Sequence, residues 1–125
     1  MVAAGLTDGD VSLPQLVTTS LWGNLADLSL SAGAALIAPS DASAGGGGSD
    51  SRMLVDDTAP LCAALEGAAG KEVIVVLDNC GLELVSDLLL VDGLLRCAAP
   101  PAVVTLHIKD RPVFVSDVTE ADLPP

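Results

Sequence analysis

Basic residues are scarce in this chain: 5 Lys and Arg stand against 17 Asp and Glu, for a formal charge of −12 over 125 residues. A nucleic-acid binder needs a basic footprint to displace counterions from phosphates, so that class is excluded. The same deficit argues against docking on an anionic membrane surface. An acidic chain can still take a phosphorylated small molecule if a metal cation supplies the local positive charge. Aromatic residues are also rare, with one Trp, one Phe and no Tyr, although hydrophobic residues make up 50 %. A core of Leu, Val and Ala is therefore expected, modest in stability at this length. Cys62, Cys80 and Cys97 are widely spaced, odd in number and form no C-x-x-C, which removes a zinc knuckle or a thioredoxin site. They are expected to be reduced and mostly buried, as in an intracellular compartment. The first residues, MVAAGLTDGD, lack the basic and apolar regions of a secretory signal. The most apolar stretch, Leu82 to Leu95, is broken by Glu83, Asp87 and Asp92, so it does not read as a membrane span. These absences describe an intracellular, cytoplasmic protein with neither nucleic acid nor membrane as partner.

What is present falls into three zones. Residues 1–33 form an N-terminal helical segment: Leu13, Leu16, Val17, Leu21, Leu25 and Leu28 recur near helical spacing, and Gly23-Asn24 mark a break. Residues 34–52 contain APSDASAGGGGSDS and read as a flexible Gly/Ser-rich linker. Gly45 to Gly48 are not a phosphate loop, because no Lys-Ser or Lys-Thr follows and no strand precedes. Residues 53–125 hold an α/β core. Asp57 or Thr58 caps a helix with Pro60 in its first turn, continuing through Leu61 to Ala69. Val73 to Leu77 is a continuous β-branched run of the kind found in strands buried on both faces. Gly81 to Cys97 is predicted helical and central, Pro100-Pro101 stop it, and Val103 to Lys109 is the next strand. PVFVSD then leads to a final helix capped at Thr119, with Thr119-x-x-Asp122 close to a capping box. Alternating strands and helices imply a parallel sheet with helices on its faces.

Ligands of open parallel sheets sit beyond the carboxyl ends of the strands. Asp78-Asn79 follow the strand Val73 to Leu77 directly, and Glu83 lies in the first turn of the next helix, whose N-terminus suits phosphate. Asp117 follows the apolar run Val113 to Val115 and is expected to emerge from an extended segment. Two carboxylates and an amide oxygen form a hard donor set for Mg²⁺ or Mn²⁺, with Co²⁺ or Ni²⁺ as further options. Spacing alone leaves helix capping as the commoner role for Asp78-Asn79, dipole compensation for Glu83 and a turn for Asp117. His107 reads as a core or edge residue, Lys109 and Arg111 as a solvated loop that can also face phosphate, and Asp87 as a supporting partner of the site. Cys80 beside the pair has nothing nearby to activate it as a nucleophile.

The segments SLWGNLADLSLS, MLVDDTAPL, VIVVLDNCGLELVSDLLLVDGLL and HIKDRPVFVSDVT occur in the order seen in the damage-control phosphatase family, which the chain resembles over most of its length. The core pattern is D-N-x-G-x-E-x-x-x-D followed by F-V-S-D-V-T. The resemblance implies an α/β/α Rossmann-like fold with a helical N-terminal part. It implies a divalent ion (Mn²⁺, Co²⁺ or Ni²⁺) held by Asp78, Asn79 and Asp117, which thereby serve catalysis. Glu83 joins them in facing a small phosphorylated metabolite, such as fructose 1-phosphate or fructose 6-phosphate. One branch of the family also implies S-adenosylmethionine-dependent methylation of protein carboxyl groups.

Three departures stand out. Leu25 occupies the place where W-G-N is usually followed by Arg or Lys, and Val113 replaces the usual Trp after Pro112. The chain ends at Pro125, short of the family's R-T-x-K-like element and distal Lys, so a truncated and even inactive member is a second expectation. Two other chemistries fail at the motif. A phospho-aspartyl enzyme of the haloacid dehalogenase type needs D-x-D, but Cys80 fills the second place. A classical methyltransferase needs a Gly-rich loop after its first strand, which Leu77-Asp78-Asn79-Cys80 is not.

Overall fold

The structure, a computed structural model, describes residues 11–26 and 53–123. The linker expected at 34–52 and the end of the N-terminal zone, Leu28 included, lie outside these residues.

Helix α1 spans Leu13–Trp22. It begins where Ser12 meets Gln15: the Gln15 Oε1 accepts from the Ser12 amide and hydroxyl at 2.9 and 2.8 Å, a local closure of the capping-box kind. It ends at Gly23, where the chain tightens into a 3-10 turn over Gly23–Ala26, the break expected at Gly23-Asn24. Helix α2 spans Thr58–Glu66 with Asp57 at its N-cap, and the Asp56 carboxylate accepts from the Thr58 amide at 3.0 Å. Pro60 sits in the first turn, where a missing N–H costs nothing.

Strand β1 (Glu72–Val76), helix α3 (Leu82–Arg96) and strand β2 (Val103–His107) follow. The strands are parallel, with Glu72 opposite Val103 and Val76 opposite His107. Parallel neighbours need a crossover, and α3 supplies it. The ladder runs past both ends, because Ala102 N donates to Lys71 O at 2.8 Å and Leu77 N donates to His107 O at 2.9 Å. The result is the expected α/β class, seen here as one parallel β-α-β unit with α1 packed on α3 and α2.

One face of the sheet is covered. Val75 and Leu106 turn towards Leu77, Leu84, Leu88 and Val118, the small aliphatic core. Burying each such side chain contributes about 1.5–3 kcal/mol, and Leu77 and Val118 are sealed completely. The other face differs from the expectation of a strand buried on both sides: Ile74 and Val76 are 52 % and 75 % exposed. Among the described residues the sheet has only two strands and α3 lies over one side of them. For the same reason α3 is half-buried rather than central, with Leu82, Val85, Leu89 and Leu95 exposed. His107 is likewise exposed at the end of β2. No helix among the described residues is long and apolar enough to cross a membrane. The cysteines are unpaired, but only Cys62 is buried, its thiol pushed up by burial and then by Glu66; Cys97 is exposed, contrary to expectation.

Candidate metal centre

Leu77 is the first residue after β1, and its burial at 2 % exposure pins the residue that comes next. Asp78 therefore leaves the sheet at its carboxyl edge. There the chain pairs with a distant stretch: Val118 N donates to Asp78 O at 3.0 Å, Cys80 N donates to Ser116 O at 2.7 Å, and Asn79 and Asp117 form an isolated antiparallel bridge. Val118, 0 % exposed, locks into the core beneath this junction. The backbone itself thus brings Asp78, Asn79 and Asp117 to one rim.

The approach to Asp117 differs from expectation. Val113 to Ser116 are not extended; they form a turn in which Asp117 N donates to Phe114 O at 3.3 Å. Their apolar side chains point outwards, Val113, Phe114 and Val115 being 74 %, 73 % and 103 % exposed. The Asp117 carboxylate folds back over this turn, and its Oδ2 accepts from the amides of Val113 and Phe114 at 2.8 and 2.9 Å. Turn chemistry of this kind overrides the β propensity of a short apolar run.

Lys109 completes the arrangement. It stands just beyond β2, its backbone bridged to Thr119, and its ammonium donates to Asp78 Oδ1 at 2.5 Å and to Asp117 Oδ1 at 2.7 Å. One cation therefore joins both carboxylates. The two acids differ in exposure: the Asp117 side chain is 2 % exposed and that of Asp78 is 64 %. The Lys109 hydrogen bond, followed by the amides of Phe114 and Val113, lowers the Asp117 carboxyl to about 2, against the opposing effect of burial. Asp117, then Asp78, pushes the Lys109 ammonium up. Asp117 and Lys109 therefore both stay charged at neutral pH.

Asn79 and Glu83 form the inner side. Glu83 accepts from Asn79 N at 3.3 Å and from Asn79 Nδ2 at 3.1 Å, while Asn79 Oδ1 accepts from the Ser116 hydroxyl at 2.8 Å. The amide nitrogen also reaches Asp78 Oδ2 at 3.2 Å. Glu83 thus holds Asn79 as well as facing the helix N-terminus. Reaching this geometry requires Gly81, whose φ of +78° turns the chain from the bridge into α3, a conformation that side chains with a Cβ rarely adopt. It also requires Gly23: a Cβ there would lie 2.7 Å from Glu83 Cα. The W-G-N turn consequently packs against the first turn of α3.

The donor set fits a hard divalent ion. Asp78 and Asp117 already converge on a single cationic centre, and carboxylate and amide oxygens are the donors that Mg²⁺ and Mn²⁺ take. Among the described residues no three His, Cys, Asp or Glu stand in a metal-holding group, and Asn79 is the third ligand that the resemblance implies. Its oxygen accepts from Ser116, while its nitrogen faces the carboxylates of Asp78 and Glu83.

Asp87 does not support this site. It is buried at 9 % exposure and accepts from the Ser20 hydroxyl of α1 at 2.5 Å. Burial pushes its carboxyl up and the Ser20 bond offsets part of that. It belongs to the α1–α3 contact, because one turn along a tilted helix is enough to carry a side chain to another neighbour. An open groove of about 470 Å³ flanks the rim, lined by Asp110, Arg111, Pro112, Thr119, Glu120 and Ala121. Its two carboxylates against one guanidinium make it a poor anion pocket. Ser116 had no signal in the sequence. Lys109 had one, because the rule that ligands lie beyond strand ends applies to β2 as it does to β1.

A parallel β-α-β unit with acids gathered at its carboxyl edge places the chain in the α/β class, in which ligand sites lie at that edge. Comparison makes the assignment specific. The family model for the damage-control phosphatase ARMT1-like domain matches residues 4–124, and the chain belongs to this family. It is similar to damage-control phosphatase ARMT1 of Danio rerio, 36 % identical over 119 residues that cover 86 % of this chain and 26 % of the relative. The corresponding protein of Xenopus tropicalis is 37 % identical over 121 residues, covering 88 % and 27 %. That of Homo sapiens is 36 % identical over 115 residues, covering 86 % and 26 %. The chain spans about a quarter of the length of these curated relatives.

Proposed function

We propose that the chain carries the metal-binding part of a phosphatase for small phosphorylated metabolites. Sugar phosphates such as fructose 1-phosphate or fructose 6-phosphate are the proposed substrates. Mn²⁺ is the proposed ion, with Co²⁺, Ni²⁺ or Mg²⁺ able to serve. The observation that carries this reading is the convergence of Asp78 and Asp117, from two separate stretches of chain, on one cation. The names of the relatives supply the reaction class. When bound, the ion supplies Lewis-acid polarisation of a phosphoryl oxygen and of the attacking water.

The chain's own residues divide the remaining work. Asp117, sealed and held ionised by Lys109 and two backbone amides, is the fixed anchor of the site. Asp78, exposed on the outer side, meets the incoming phosphomonoester. Glu83 sets the angle of Asn79 through two hydrogen bonds. The test is release of inorganic phosphate from fructose 1-phosphate with Mn²⁺ or Co²⁺, together with Mn²⁺ binding, by the chain and by Asp78→Ala. Metal-dependent release lost on substitution supports the reading. Equal release from both proteins, or no ion bound by the parent, removes it.

A further inference from the structure

Lys109 occupies the position that the proposed ion needs. Its ammonium lies 2.5 Å from Asp78 Oδ1 and 2.7 Å from Asp117 Oδ1. A divalent ion of the size of Mg²⁺ takes its oxygens at about 2.0–2.1 Å, so both carboxylates would close in by roughly half an ångström and leave no gap for a second cation. Charge says the same. The carboxylate pair carries two negative charges, and one divalent ion neutralises it completely. An ammonium left in place would then meet a like charge.

We propose that Lys109 is a built-in competitor for the metal: its ammonium bridges Asp78 and Asp117 in the metal-free protein and is displaced to solvent when an ion binds. This rests on the metal reading of the preceding section. The side chain is suited to it. Its backbone is fixed by the bridge to Thr119, while its side chain is 32 % exposed and so has a path outwards. Lysine carries its charge on a flexible stem and exchanges partners readily, unlike the rigid fork of arginine. Two consequences follow. The two acids stay gathered without metal, because the ammonium offsets the repulsion that would separate them. The affinity for metal is lower than the donor set alone would give, because each binding event breaks two charge-assisted hydrogen bonds.

Lysine reactivity tests this on the unaltered 125-residue chain. Amine acylation at fixed pH, read by mass spectrometry, is run in EDTA and again in saturating Mn²⁺ or Mg²⁺, with calorimetry to show that the ion is bound. The exposed Lys71 is the internal reference. In EDTA, Lys109 is expected to react severalfold more slowly than Lys71; bound metal is expected to remove that protection. A Lys109→Met variant is expected to bind Mn²⁺ at least about tenfold more tightly, because neither of the two charge-assisted hydrogen bonds has to be broken and one alone is worth about that factor. Lys109 equally reactive in EDTA and in bound metal overturns the competitor role while leaving the metal site intact. So does Mn²⁺ binding that is unchanged or weaker in a folded Lys109→Met. If calorimetry detects no ion binding by the parent or by the variant, the metal reading itself falls, and the competitor role with it.

Discussion

Asp117 at the sheet rim and Asp87 in the α1–α3 contact are both buried carboxylates, 5 % and 9 % exposed, yet their surroundings move them in opposite directions. Asp117 has an ammonium and two backbone amides aimed at it, and its carboxyl drops to about 2. Asp87 has one hydroxyl, from Ser20, and burial raises its carboxyl. Loss of water penalises both, so depth does not decide the outcome. What differs is the number of donors and the presence of a cation. The rim invests its donors in keeping a charge; the helix contact tolerates a charge it has barely compensated. A rim that holds an ammonium and a contact that holds two helices thus use the same residue for different ends.

The largest expected effect comes from removing the charge at the rim. Asp117→Asn should weaken Mn²⁺ binding by more than the 10–100-fold typical of outer-shell partners, because the proposed reading makes Asp117 a direct ligand. In EDTA it should also melt below the parent at pH 7. The Asp117 carboxyl lies lower when folded than its ordinary 3.8, so its contribution is present above that value and fades as pH falls towards about 2. Melting curves across this window should show the gap between parent and variant closing; a constant gap would break the comparison.

Gly23→Ala comes next, since this turn joins the two regions. The added Cβ meets Glu83 Cα at 2.7 Å, a backbone atom that cannot rotate away, and overpacking of this kind costs about 1–3 kcal/mol. Denaturant unfolding would measure it, and no loss would mean that the turn moves freely. Ser20→Ala should cost about 1 kcal/mol by leaving Asp87 without its donor, with no change in Mn²⁺ affinity. A change in that affinity would tie Asp87 to the site after all.

Asp87→Asn is the smallest and has the opposite sign. A raised carboxyl favours the protonated form in the fold, so stability is full below the ordinary value of 3.8 and declines as pH rises through the folded value. The neutral amide escapes that decline. The variant should melt slightly above the parent at pH 7 and match it near pH 3.

Much of the fold was legible because local chemistry specifies it. Gly23-Asn24 do break the first helix, and Pro60 does sit in the first turn of α2. The Asp122 carboxylate accepts from the Thr119 amide and hydroxyl at 2.9 and 3.0 Å, as the capping pattern suggested, although the helix it opens is only the 3-10 turn Glu120–Asp122. The run Val113 to Val115 misled because three apolar β formers look like a strand whether or not anything receives them. Here the carboxylate of Asp117 captures the amides of Val113 and Phe114 instead. Asp87 misled because its sequence distance from Glu83 says nothing of what α1 brings to that side of the helix.

Order and identity along the chain were enough to set the α/β class, the strand-end position of Asp78-Asn79 and the family. Those properties depend on periodicity and on motifs of contiguous residues. The meeting of Asp78 with Asp117, the hold of Glu83 on Asn79 and the ammonium of Lys109 between the two acids were decided only by the folded chain. Lys109 and Asp78 are 31 positions apart, and only the parallel register of β1 with β2 brings their strand ends to the same edge.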